Sequence, residues 1–264
     1  LRSTLFKEVQ EFHDAGGTTR QSSEQRAGPG QPRDHQRFTI WIMALPRLAV
    51  EMLASICLRI MTDFSTRLIE WQQTHGRHDL PWQSTCDPYR IWLSEIMLQQ
   101  TQVSTVIPYY ARFLDRFPDI PALAQAPVET VLELWAGLGY YARARNLHRC
   151  AQTLVANHCG SFPKSAEEIV QLPGIGRSTA AAIAAFAFGQ RAAILDGNVK
   201  RVLTRCFGID GIPGTAQTDR QLWALAESLL PRTDIEHYTQ GLMDLGASLC
   251  ARSKPRCANC PMTE

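Results

Sequence analysis

From Met61 onward the sequence predicts an all-α fold, on three observations. Apolar residues recur at helical spacing, no run alternates convincingly as a strand would, and prolines punctuate the chain at 81, 88, 108, 118, 121, 127, 163, 173 and 213. Taken in order, residues 13–37 are dense in Gly, Gln, Ser, Arg and Pro and lack the apolar material to offset ordering entropy, so disorder is expected there. Met61 opens a helix start, with Thr62 or Asp63 as cap and Phe64, Leu68 and Trp71 on one face. Residues 1–60 accordingly read as a non-native or upstream-translated extension. Asp87-Pro88 sets a cap and a first-turn proline before a helix over residues 89–100, and residues 180–188 form an alanine-rich helix suited to close packing.

Composition excludes little. With 264 residues, 45% hydrophobic and 20% charged, the chain can bury one large core or two modest ones. The net charge is +2, but eight Lys and Arg stand against six Asp and Glu in residues 1–60, which leaves nineteen of each sign beyond them. Net charge therefore gives no argument for nucleic acid. Local clusters carry more: Arg143, Arg145, His148 and Arg149; Lys200, Arg201 and Arg205; Arg252, Lys254 and Arg256. Each can pair with phosphates, although a solvated face is the commoner meaning of one such cluster. Eight cysteines, five of them scattered, do not make a disulfide framework, so a reducing, cytoplasmic setting is expected. Residues 40–61 are interrupted by Pro46, Arg47, Glu51 and Arg59, which argues against a membrane segment or an export signal.

Two carboxylates and one turn carry chemistry. Leu172-Pro173-Gly174-Ile175-Gly176-Arg177-Ser178 places a Gly-x-Gly turn directly before a helix. Such a turn permits close backbone approach, and the free amides of a helix N-terminus favour an anion; an ordinary helix-to-helix turn would look the same from the glycines alone. Asp196 sits at the mouth of the next helix, where an aspartate is often only a cap. Capping and catalysis are compatible, since the dipole and backbone amides are expected to hold Asp196 ionised against a developing cation. Glu95 shares a helical stripe with Ile91 and Leu98 beside Trp92, so desolvation is expected to raise its pKa toward use as a general acid. One carboxylate held neutral and one held charged divides acid from stabiliser.

The hairpin string, the alanine-rich helix and Asp196, eighteen residues after Ser178, resemble the helix-hairpin-helix superfamily of base-excision enzymes. Residues 93–103, Leu80-Pro81-Trp82 and residues 137–146 further resemble the MutY-type adenine DNA glycosylase family, related to endonuclease III, over everything from Met61 to Glu264. This resemblance implies that Glu95 protonates adenine and later handles water, that Asp196 stabilises the sugar cation and that Asn198 orients Asp196. It implies that Gln240, Trp82 and Arg77 line the base pocket, and that Gln100 and Tyr140 wedge into double-stranded DNA where the adenine flips out. Gly174, Gly176, Arg177, Lys200 and Arg201 are expected on the DNA backbone. Strand-cleaving relatives carry a lysine where this chain has Ser178, which cannot form a Schiff base, so monofunctional base removal is expected.

The resemblance also implies two helical domains flanking a DNA-binding cleft: a barrel-like bundle over residues 85–190, and a second domain joining 61–84 to 191–264. Cys250-x6-Cys257-x2-Cys260 suits thiolate ligation of zinc or an iron-sulfur cluster. The superfamily pattern for a 4Fe-4S cluster adds a fourth cysteine at position 266, beyond Glu264, so an incomplete cluster site and a truncated chain lacking the C-terminal oxidised-guanine recognition domain are expected. The reading is a monomeric enzyme removing adenine opposite 8-oxoguanine or guanine. A glycosylase for another lesion, such as a G:T mismatch or an oxidised pyrimidine, and an inactive helix-hairpin-helix DNA-binding module are the alternatives.

Overall fold

A computed structural model describes residues 63–212 and 214–263; the expected extension over residues 1–60, the cap at Thr62 and the break at Pro213 lie outside them. Among the described residues every regular element is helical, and none of the helices is long and apolar enough to cross a membrane. Helix α1 covers residues 63–75, with Asp63 already helical. It is followed by α2 (Pro88–Leu98), α3 (Val103–Arg116), α4 (Ile120–Gln125), α5 (Val128–Trp135), α6 (Ala142–His158), α7 (Ala166–Ile169), α8 (Arg177–Phe188), α9 (Gly197–Phe207), α10 (Ala216–Ser228) and α11 (Ile235–Ser248). A 3-10 turn over Cys257–Asn259 closes the series.

Local chemistry accounts for the helix ends that flank the site. The Asp87 carboxylate accepts from Tyr89 N and Pro88 takes a first-turn position, as that dipeptide predicts. Helix α2 stops at Leu98 rather than at residue 100, because Gln100 takes a left-handed φ of 58°. Helix α8 begins at Arg177, earlier than the alanine run suggested. The break expected at Pro108 does not occur, since α3 runs through it. A proline inside a helix costs about 3 kcal/mol. Burial of Val106, Tyr110 and Phe113 on one face of α3 returns more, at about 1.5–3 kcal/mol per large apolar side chain.

Two hydrophobic cores result. One gathers Trp92, Met97, Phe113, Trp135, Leu147 and Ile169 from α2 to α8. The other joins Phe64 and Leu68 of α1 to Leu203, Leu225, Tyr238 and Leu245 of α9 to α11. Helix α8 belongs to both: Ala180, Ile183 and Ala184 face the first core, while Ala181, Ala182 and Ala185 face the second. Small side chains on opposite faces let both layers approach one helix axis closely, which is what the alanine run is for. Glu95 lies on α2, which packs into the first core, and Asp196 at the start of α9, which packs into the second.

Candidate active site

A cavity of about 260 Å³ opens between the two layers, and its lining includes Arg77, Trp82, Glu95 and Gln240. Three residues expected at a base pocket and the residue expected as the acid therefore line one cavity. Ile91 and Leu98, one turn either side of Glu95 on α2, line the same cavity, as do Phe186, His237 and Met243. Trp82 is 8% exposed and meets Tyr110 edge to face at 5.4 Å, which fixes the indole as a wall. Sequence reasoning missed Phe186, His237 and Met243, because helical spacing makes them ordinary core or surface positions.

Burial raises the Glu95 carboxyl to about 8, and the neighbouring Asp196 charge adds to that rise. The expectation of a neutral acid at this position holds. Asp196 caps α9, its Oδ1 accepting from Val199 N at 2.8 Å. Here the electrostatic expectation needs correction: burial pushes Asp196 above the usual aspartate range and outweighs the opposing pull of the Val199 and Asn198 amides and of Arg201. Desolvation is the largest of these effects. Both carboxyls are thus shifted in one direction, and the Asp196 charge contributes to the rise at Glu95.

Asn198 acts on Asp196 through its backbone amide, whereas its side-chain Oδ1 accepts from Arg201 Nη2 at 2.9 Å. The Ser178 hydroxyl accepts from Leu195 N at 2.9 Å, so the first turn of α8 anchors the strand of chain that delivers Asp196. The two glycines of the hairpin differ. Gly174 has φ +77°, and a Cβ there would lie 2.5 Å from Asn146 Cβ, so the fold itself requires glycine. Gly176 caps α8 with ordinary φ, and a Cβ there would meet nothing within 4 Å, so no internal contact requires glycine.

The basic side chains expected at the DNA backbone all have partners within the protein. Lys200 Nζ holds both oxygens of Asp219 at 2.8 Å. Arg177 pairs with Glu227 and stacks over Trp223 at 3.8 Å. Arg201 donates to the carbonyls of Cys250 at 2.7 Å and Gly246 at 2.7 Å, and Arg205 to that of Ala251 at 2.8 Å. Long cations on α9 thus reach across to stitch down the cysteine loop instead of forming a free patch. Arg143, from one of the clusters that can pair with phosphates, is a structural clamp: its guanidinium donates to the carbonyls of Ile96, Met97, Gln99, Leu138 and Gly139 and to Thr101 Oγ1 at 2.6 to 3.3 Å. It thereby ties the loop carrying Gln100 to the loop carrying Tyr140. Both of those residues are non-glycine yet left-handed, with φ of 58° and 49°, and both side chains are exposed outside the cavity.

At the chain's far end, Cys250 and Cys257 lie near enough to Cys260 to push its thiol up along with burial. Among the described residues, however, no group of three or more His, Cys, Asp or Glu has the arrangement of a metal site. Cys250, Cys257 and Cys260 could supply three of the thiolates that an iron-sulfur cluster takes.

A glycine hairpin opening an uncapped helix, followed by a loop that presents a capping aspartate beside a protonated glutamate in a base-sized cavity, defines a helix-hairpin-helix protein of the base-excision type. Residues 93–228 match the HhH-GPD superfamily of base excision DNA repair proteins, and the chain belongs to that superfamily. It is 47% identical over 199 residues to the adenine DNA glycosylase of Buchnera aphidicola subsp. Baizongia pistaciae, a match covering 75% of this chain and 56% of that protein. With the adenine DNA glycosylase of Homo sapiens it shares 42% over 211 residues, covering 76% of this chain and 38% of the human protein. The chain thus spans about half the length, or less, of these curated relatives. Among solved structures, a thermostable thymine-DNA glycosylase superposes with a TM-score of 0.71 at 32% identity, covering 77% of this chain and 94% of that one. Endonuclease III in a non-covalent DNA complex shares the fold, with a TM-score of 0.59 at 22% identity over 67% and 81% of the two chains.

Proposed function

We propose that this chain hydrolyses the N-glycosidic bond of an adenine flipped out of double-stranded DNA, opposite 8-oxoguanine or guanine, and leaves the strand intact. The observation that carries the reading is the Glu95 carboxyl on the cavity wall, raised to about 8 by burial and pushed further by the nearby Asp196 charge. The relatives named adenine DNA glycosylases, at 47% and 42% identity, support it. Glu95 gives its proton to a ring nitrogen of the bound adenine, and the glycosidic bond breaks with its electron pair leaving on the base. The ionised Asp196 carboxylate faces the oxocarbenium-like sugar. Water then adds to the sugar carbon and passes its proton to Glu95, which restores the acid. The products are adenine and an abasic site.

The remaining residues take supporting roles in this proposal. Gln100 and Tyr140 fill the vacated stack, Asn198 orients Asp196 through its amide, and Ser178 supplies no amine, so no Schiff base to the sugar forms. Because Arg177, Lys200 and Arg201 are engaged internally, phosphate contact rests on the backbone around Gly174 and Gly176 at the start of α8. Residues 85–190 and the joined segments 61–84 and 191–264 act as the two walls of the cleft, in a monomer. The thymine-DNA glycosylase likeness favours one rival, removal of a mispaired thymine. A protonated acid is of most use when a purine leaves, which favours adenine.

The test is base release against pH. Glu95 must carry its proton, so single-turnover release is flat near neutrality and falls roughly tenfold per pH unit above about 8. Glu95→Gln retains duplex binding and lowers release by at least about 100-fold. Undiminished release by that variant, or thymine released in preference to adenine, would overturn the reading.

A further inference from the structure

Asp244 is a charged residue that the reaction above does not use, and it is 1% exposed in the middle of α11. Its carboxylate accepts from Arg77 N at 2.9 Å and Arg77 Nε at 2.7 Å, and pairs with Arg77 Nη2 at 2.7 Å. The same Oδ1 also accepts from Gln240 Nε2 at 2.8 Å, one helical turn earlier. A carboxylate ion-paired to arginine offers only acceptors, so the Gln240 amide must present its NH2 to it. The terminal torsion of glutamine is broad and two-fold, and an unanchored amide would present either end to an occupant. The bond to Asp244 fixes which way the Gln240 amide is turned, with Nε2 toward the carboxylate and Oε1 on the opposite arm of the fork, and Gln240 lines the cavity together with Glu95 and Arg77.

We infer that Asp244 is a positioning residue that fixes Gln240 as a hydrogen-bond acceptor, so that the cavity selects a purine bearing an exocyclic amino donor over one bearing a 6-oxo group. The inference rests on the adenine reading and deepens it. A 6-aminopurine gives its amino hydrogen to Gln240 Oε1 while its ring nitrogen takes the proton of Glu95. A 6-oxopurine sets oxygen against oxygen at Gln240, leaving two buried acceptors unpaired, and sites built to pair a donor reject analogues lacking it by large factors. Arg77 holds both carboxylate oxygens, its backbone N on Oδ2 and its guanidinium on the Oδ1 shared with Gln240, so the device links the loop after α1 to α11.

The experiment compares single-turnover release of adenine and hypoxanthine placed in one duplex context opposite 8-oxoguanine. The wild-type chain favours adenine by at least about 100-fold, and Asp244→Asn, which lets the Gln240 amide turn over, reduces that ratio at least about tenfold by slowing adenine and speeding hypoxanthine. A purely structural role would lower both rates together and leave the ratio unchanged, which would overturn the inference. Gln240→Leu provides an independent check should Asp244→Asn fold poorly: the ratio falls to a similar degree, and an unchanged ratio in this variant also overturns the inference. Release of adenine with no base preference defeats this inference alone, whereas release of neither purine by the wild-type chain defeats the adenine reading beneath it.

Discussion

The charge of Asp196 pushes Glu95 further in the direction in which burial already drives it, so ionisation of one carboxyl bears on ionisation of the other. That coupling depends on α8. Its alanines let the layer carrying Glu95 and the layer carrying Asp196 close on one helix, and its Ser178 pins the Leu195 amide immediately before the aspartate.

Holding Glu95 in this setting costs stability, and the sign follows from its shift. The folded-state pKa is raised from 4.5 to about 8, so the native state binds the extra proton and stability falls as pH rises between those values. Glu95→Gln removes the ionisable group. Its melting temperature should exceed that of the wild-type chain by about 3–8 °C at pH 8.5 and by little at pH 5, a gap that calorimetry at the two values measures.

Arg143 should act as a clamp and not as a phosphate ligand. Six acceptors converge on one planar fork, a geometry lysine cannot reproduce. Arg143→Lys should cost about 2–4 kcal/mol in denaturant unfolding and lower base release more than tenfold, while the slope of binding affinity against salt stays unchanged. A reduced salt slope with intact stability would return Arg143 to the phosphate role.

The hairpin glycines should separate cleanly on substitution. Gly174→Ala sets a methyl against Asn146 at a left-handed φ and should destabilise the chain by at least about 2 kcal/mol. Gly176→Ala has ordinary φ and open space, so its unfolding free energy should stay within about 0.5 kcal/mol while duplex affinity falls several-fold by titration. Equal affinity for the Gly176→Ala chain would remove that backbone from the DNA interface.

Much of this was legible in the residues because it is local. The Asp87-Pro88 start, the capping role of Asp196 and the elevation of Glu95 on an apolar stripe each follow from a few neighbours in sequence. What was not legible depends on partners far along the chain. Arg143 in a basic run looks like a phosphate ligand until loops some forty residues away bring their carbonyls to it, and Lys200 until Asp219 arrives from α10. Asp244 gave no signal, since the Arg77 that pairs with it lies 167 positions away. In the same way, α3 continues through Pro108 because tertiary burial outweighs local propensity.

The central claim is removal of adenine by a paired acid and carboxylate without strand cleavage, and one assay addresses it most directly: single-turnover incubation of a duplex carrying adenine opposite 8-oxoguanine, resolved with and without subsequent alkali. Free adenine together with strand breaks that require alkali is the predicted result. Breaks without alkali, or duplex binding with no adenine released, would contradict the account.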